Sequence, residues 1–186
     1  MSNKNQFKKA GFLALSVILF AQSCKDEPAP PSQPVDETEL ITTVRLQFED
    51  SASGAKTYAL FSDPDGEGGK GPVQFDSIKL KSNSSYTTRI LLLDESKTPV
   101  DTISNEVLKE SDEHLFVFTP EGVNLKVSLL DKDKNNLPVG LLSAWRTGSA
   151  GKGRVKVTLR HQPNVKDGTA TPGETDVEVD FPCSLQ

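Results

Sequence analysis

The chain has 186 residues, with 21 basic and 26 acidic side chains and a formal net charge of −5. One domain is the natural prior at this length. The acidic balance argues against a basic patch for nucleic acid or for an anionic membrane surface, and it accords with solubility or with cation binding.

The first 27 residues read as an export segment. Lys4, Lys8 and Lys9 form a basic start, residues 12–20 a short apolar core, and Ala21-Gln22-Ser23 stands directly before Cys24. A spanning helix needs about 20 apolar residues, so this layout predicts a signal peptide over 1–23. Cys24 after that triplet resembles a lipobox. The resemblance implies cleavage before Cys24 and a lipid-modified cysteine as the mature N-terminus. Lys25-Asp26-Glu27 resembles the surface-export signal of Bacteroidota lipoproteins, which implies an outer-membrane, lipid-anchored protein exposed at the cell surface. Two or more acyl chains make a stable anchor. Removing residues 1–23 takes away three lysines and no acid, leaving 163 residues with 18 basic and 26 acidic side chains, a net −8. With Cys24 consumed by lipid, Cys183 has no partner and no intramolecular disulfide is expected. Cys183 shares parity with Val177, Val179 and Phe181, so it reads as a small buried hydrophobe.

Residues 24–39 hold four prolines and no hydrophobic periodicity, the pattern of a solvated tether. The folded domain is expected over 40–186. Residues 41–48 alternate with Val44, Leu46 and Phe48 on one face, which predicts strand one. Residues 51–54 turn into strand two at 57–61, and 63–72 is a loop by its glycines, prolines and acids. Strand three is expected over 75–81 with Ile78 and Leu80 on one face, and strand four over 86–94. The Ile90-Leu91-Leu92-Leu93 run suggests burial on both faces or a helix covering one of them.

Residues 104–113 are the helical candidate, with Ser104 or Asp101 as cap and Ile103, Val107 and Leu108 as an apolar stripe. Two turns are too few to stand alone. Strand five follows at 114–119, a tight turn at 120–122, and strand six at 124–130. After the acidic loop 131–136 come strand seven at 139–146 and the glycine-rich 147–153. Strand eight spans 154–161 with Val155, Val157 and Leu159 inward. Strand nine spans 176–185, where Pro182 suits an edge or terminal strand. The fold class is therefore all-β: an antiparallel β-sandwich or flattened barrel of about eight to nine strands with one short helix. Tight turns favour an up-and-down meander, and a Greek key competes.

Strand direction in a meander gathers both histidines and most loop carboxylates at one end of the sheets. Two imidazoles with carboxylates suit Zn, Cu or Fe. The candidate ligands are His114 and His161 with Glu113, Asp112, Glu174 and Asp176. Two loops carry oxygens at alternate positions, as calcium loops do: Asp63, Asp65 and Glu67, and Asp131, Asp133 and Asn135. Neither has an acid at position twelve, and an Asx-rich turn is the competing reading. No GxSxG, HExxH, P-loop or dinucleotide fingerprint is present, so the expectation is a protein that is not an enzyme.

Several stretches together resemble one family: 41–44 (ITTV), 63–66 (DPDG), 110–116 (ESDEHLF), 137–141 (LPVGL), 159–163 (LRHQP) and 173–179 (GETDVEV). They are similar to a group of small Bacteroidota outer-membrane lipoproteins, some found with TonB-dependent receptors. Some members carry the label of a type 1 periplasmic binding fold, but the chain lacks the alternating βα pattern such a fold needs. The resemblance implies an accessory to nutrient or metal uptake beside such a receptor. The expected function is a lipid-anchored binding module, most plausibly for a metal or metal complex. An adhesive or structural surface protein is the alternative, and a hydrolase the second alternative.

Overall fold

A computed structural model describes residues 40–66 and 69–186. Cys24, Lys25, Asp26 and Glu27, with the rest of the signal and tether, lie outside the described residues, as does Glu67. The elements are β1 (Thr43–Asp50), β2 (Lys56–Ser62), β3 (Gln74–Phe75), β4 (Ile78–Leu80), β5 (Ser85–Leu93), α1 (Ile103–Lys109), β6 (His114–Glu121), β7 (Leu125–Leu129), β8 (Leu142–Thr147), β9 (Gly151–His161) and β10 (Glu174–Leu185). They form two sheets, one of order β3-β2-β1-β5-β8-β7 and one of order β4-β10-β9-β6. The fold is an all-β sandwich with one short helix and no closed barrel.

Alternation builds the core. Val44, Leu46 and Phe48 of β1 and Tyr86, Ile90 and Leu92 of β5 are buried on the inner face of the larger sheet. Val155, Val157 and Leu159 of β9 face them with Val179, Phe181, Cys183 and Leu185 of β10. Successive side chains point to opposite faces of a strand, so each row lines one surface. Trp145 joins the layers. Its ring meets Phe48 edge-on at 5.1 Å and Phe118, from the other sheet, at 5.6 Å.

The meander expectation does not hold. The expected strand three is two strands in different sheets. Asp76 breaks it: its backbone N–H donates to Leu60 O, and its carboxylate accepts from Leu60 N–H. Those bonds end β3, and the chain crosses to pair β4 in parallel with β10. The chain crosses again to place β5 beside β1. The expected 120–122 turn is also a crossing. Its Pro120 lies inside β6, an edge strand, where a missing N–H is tolerated. β10 is an inner strand, not an edge. However, β4 covers it only from Cys183 onward, so Pro182 stands just before the covered stretch.

Helix α1 lies against β5 and adds Ile103 and Val107 to the core cluster that holds Ile90 and Leu92, while Leu91 and Leu93 on the other face stay half-buried. Ile103 and Val107 are buried, but Leu108 is exposed. Neither expected residue caps it. Thr102 holds the N-cap position without a side-chain bond. The Ser104 hydroxyl instead accepts from Leu92 N–H at 2.6 Å, tying the helix to the end of β5.

Candidate metal centre

The inward rows of β6 and β9 end on histidines. Phe118 faces Val157, Phe116 faces Leu159, and two residues further along each strand His114 faces His161. Period-two alternation puts this last rung on the same face as the buried ones. The imidazoles lie 4.7 Å apart between centroids and 6° from parallel.

Asp176 joins them through an irregularity in the ladder. Thr175 pairs with Arg160 and Val177 with Leu159, so the register skips Asp176. Such a bulge adds one residue to the strand and re-aims its side chain. Asp176 Oδ2 lies 3.8 Å from His114 Nε2, and Oδ1 lies 4.0 Å from His161 Nδ1. One ligand atom from each of the three residues falls within 4.8 Å of the others. A tetrahedral ion with bonds of about 2.0–2.1 Å wants its ligands about 3.4 Å apart, so the three atoms have to draw together to share one.

The surroundings select one tautomer of His114. Its Nδ1 lies 3.0 Å from Glu110 O, and a carbonyl only accepts, so Nδ1 carries the proton. Nε2 then presents its lone pair towards Asp176. A ligating histidine commonly gives its other N–H to such a carbonyl. Glu113 Oε2 stands 3.8 Å from His161 Nε2, while Asp176 lies by Nδ1 of the same ring. Because the stacked rings are nearly parallel, no point within bonding reach lies in both planes. Ligation requires one ring to turn. His161 has the more exposed ring, with 19% of its side chain exposed against 9% for His114.

The other expected ligands lie outside that group of three. Asp112 pairs with Lys134 at 2.8 Å, and that bond holds its carboxyl below the usual range. Glu174 is the cross-strand neighbour of His161 but is exposed and outside the close group. In the 131–136 loop the carboxylates turn into the protein. Asp131 accepts from Gly140 and Leu142 N–H groups, and Asp133 from Asn135 and Leu137. Asn135 is exposed. This is the Asx-rich turn. In the other loop, burial and then the neighbouring Asp65 push the Asp63 carboxyl up, while the Lys70 N–H holds Asp65 down.

Three features that hold the site escaped the sequence reading. Lys166 Nζ reaches Asp133 Oδ2 at 2.8 Å and Ser111 O at 2.7 Å, with the two side chains 2% and 0% exposed. This pair clamps together the loops before β6, before β8 and after β9. Burial pushes the Asp133 carboxyl up, but Lys166 and the Leu137 and Asn135 N–H groups outweigh it and hold it below its usual range. Gln162, fully buried, donates to Thr169 O and Pro172 O, and its backbone N–H donates to Glu113 O at 2.6 Å. Gly173 has φ +79, and a Cβ there would fall 1.9 Å from His161 O. Only a glycine lets that hairpin close over the histidine.

Beside the group lies an open cleft of about 590 Å³ lined by Phe61, Asp63, Thr175, Asp176, Val177 and Glu178. At the opposite end of the sandwich Ser51, Ser53, Asn83, Ser84 and Ser85 meet around the Asp50–Lys81 ion pair. The class these features define is an all-β sandwich with a histidine pair and a carboxylate at one end. No family model, curated protein or solved structure matches this chain.

Proposed function

We propose that this protein is a lipid-anchored capture module that takes up a divalent transition metal at His114, His161 and Asp176. The observation that carries the reading is the directly opposed histidine pair with Asp176 turned onto it by the register skip. Two imidazoles and one carboxylate are the donor set of zinc, copper and iron sites rather than of calcium. The signal-like start, Cys24 and the Lys25-Asp26-Glu27 run support attachment at the outer membrane with the domain outside the cell. The family resemblance supports a TonB-dependent receptor as the neighbour that receives the cargo.

Calorimetric titration of the full chain in detergent with Zn²⁺, Cu²⁺ and Ca²⁺ tests the site. The expected result is one equivalent of Zn²⁺ or Cu²⁺, lost in His114→Ala/His161→Ala. Absence of uptake by the wild type leaves a structural or adhesive surface protein. Labelled palmitate entering the wild type, and not Cys24→Ser, is the expected result for the anchor.

A further inference from the structure

The outer surfaces of the two sheets treat charge differently. On the smaller sheet the cations are matched to acids: Arg154 pairs with Glu121 and Asp180, and Lys156 with Glu178. On the larger sheet Arg45 of β1, Arg89 of β5, Arg146 of β8 and Lys126 of β7 are all exposed. None of these four makes an ion pair or a side-chain hydrogen bond among the described residues. We propose that this face is a docking surface for an acidic polysaccharide. The arginines take its carboxylates, and Tyr58 stacks on a sugar ring. The inference is independent of the metal-binding reading.

Alternation and register together assemble the row. Leu46, Ile90 and Trp145, each next in sequence to one of the arginines, are buried in the core, so the arginines point outward. Arg45 stands opposite Leu91, Arg89 opposite Leu142, and Arg146 opposite both Ser85 and Lys126. The four charges therefore cross the neighbouring strands β1, β5, β8 and β7 while moving along them from the level of Leu91 to that of Ser85. With strands about 4.8 Å apart and about 3.4 Å of rise per residue, the row spans roughly 25 Å. Among the described residues of β1, β2, β5, β7 and β8, Glu49 is the one acid on this face, and Lys56 stands 3.8 Å from it. Like charges directly opposite one another destabilise a sheet. Arg146 beside Lys126 carries that cost, and an anion between them removes it.

The face itself selects the class of polyanion. β1, β5 and β8 are hydrogen-bonded on both sides, so only side chains are on offer. An extended acidic peptide gains affinity from main-chain bonds to a sheet edge, which this surface lacks. Single-stranded nucleic acid wants several aromatic platforms for successive bases. Tyr58, 50% exposed, is the one outward aromatic among the described residues of these strands. The net charge of −5 also opposes a dense phosphate chain. An anionic membrane asks for apolar side chains that insert, whereas Leu60, Leu91 and Leu142 between the charges are half-buried. Tyr58 and Arg89 share a rung, with Gln47 between them. A guanidinium takes a carboxylate through two parallel bonds, and a phenol ring offers a flat apolar surface with a polar tip. Ring and fork side by side match a chain of sugar rings that carry acids.

The test is affinity electrophoresis of the full chain in detergent through native gels with and without polygalacturonate. EDTA keeps divalent ions from bridging acids. The wild type is expected to be retarded by polygalacturonate, less so as salt rises, and not by neutral dextran. Arg45→Gln/Arg89→Gln/Arg146→Gln should bind about ten-fold more weakly. Its urea midpoint should not fall below that of the wild type, because these side chains leave no partner behind. Arg154→Gln/Lys156→Gln removes charge from the other sheet and should keep the retardation. Tyr58→Ala should weaken it at unchanged charge. The proposal falls if polygalacturonate leaves the wild type unretarded, or if the two charge variants lose retardation equally. It falls too if Tyr58→Ala matches the wild type, or if polyglutamate or oligo(dT) retards the protein more than polygalacturonate does. His114→Ala/His161→Ala should be retarded like the wild type, so failure of the metal reading and failure of this one are separate results.

Discussion

His114 of β6 stands directly opposite His161 of β9, and their imidazoles stack 4.7 Å apart at 6°. Metal uptake has to undo that stack, because each lone pair lies in its own ring plane. Zn²⁺ is therefore expected to shift the ring resonances of both histidines in an NMR titration, His161 more than His114. Asp176→Asn should cost at least ten-fold in affinity while leaving the fold intact. Uptake should weaken as pH falls, because imidazole must shed its proton to ligate. An Asp176→Asn protein that binds Zn²⁺ like the wild type would remove Asp176 from the ligand set.

The Asp133–Lys166 pair gives a stability prediction. Removing one partner of a buried ion pair leaves an uncompensated charge and costs about 3–5 kcal/mol. Lys166→Met should therefore lower the urea midpoint sharply. The double replacement Asp133→Leu/Lys166→Met should recover part of the loss, though Asn135 and Leu137 N–H groups would lose their acceptor. The pH dependence has a definite sign. The folded state holds the Asp133 carboxyl below its unfolded range, so its stabilisation is present above that range and fades as pH falls through the folded value. Asp133→Asn should flatten the acid limb of the stability profile. An unchanged limb would assign acid unfolding to other groups.

Gly173 should tolerate no side chain. Alanine there combines a positive φ with a collision against His161 O. The backbone of the β9–β10 hairpin then has to open beside a proposed ligand. Gly173→Ala is expected to lose both thermal stability and Zn²⁺ affinity. By contrast Gly54→Ala, whose Cβ would meet nothing within 4 Å, should cost stability alone. Equal metal affinity in the two variants would separate the hairpin from the site.

Cys183 should be inert while the protein is folded. Burial pushes its thiol up to about 11 from the model-compound 9.0, and the thiolate is the reactive form. The folded value is raised, so this group's contribution to stability is full below about 9 and lost as pH rises towards 11. A neutral thiol reagent at pH 7 should label it only on unfolding in denaturant. Prompt labelling of the native protein would place the thiol nearer solvent than the core of β10.

The chain's own alternation determined the class of fold. A strand with one buried face writes that face into every second residue, so Val44-Leu46-Phe48 and Val155-Val157-Leu159 identify themselves locally. Both histidines stand at ends of such rows, at 114 and 161, and that too was legible. Which strands neighbour one another is a different kind of information. Period-two patterning says which side of a strand is buried and nothing about the strand hydrogen-bonded to it. Hence β4 beside β10, β5 beside β1 and the crossing at Gly122 came only from the tertiary structure. Asp176 stands between the two kinds of information. Its place across the hairpin from His161 named it as a candidate ligand, whereas the skip between Thr175 and Val177, which no periodicity records, came only from the tertiary structure. The clamp of Lys166 on Asp133 spans 33 residues and leaves no local trace, because two charges in polar loops look solvated until the fold closes over them.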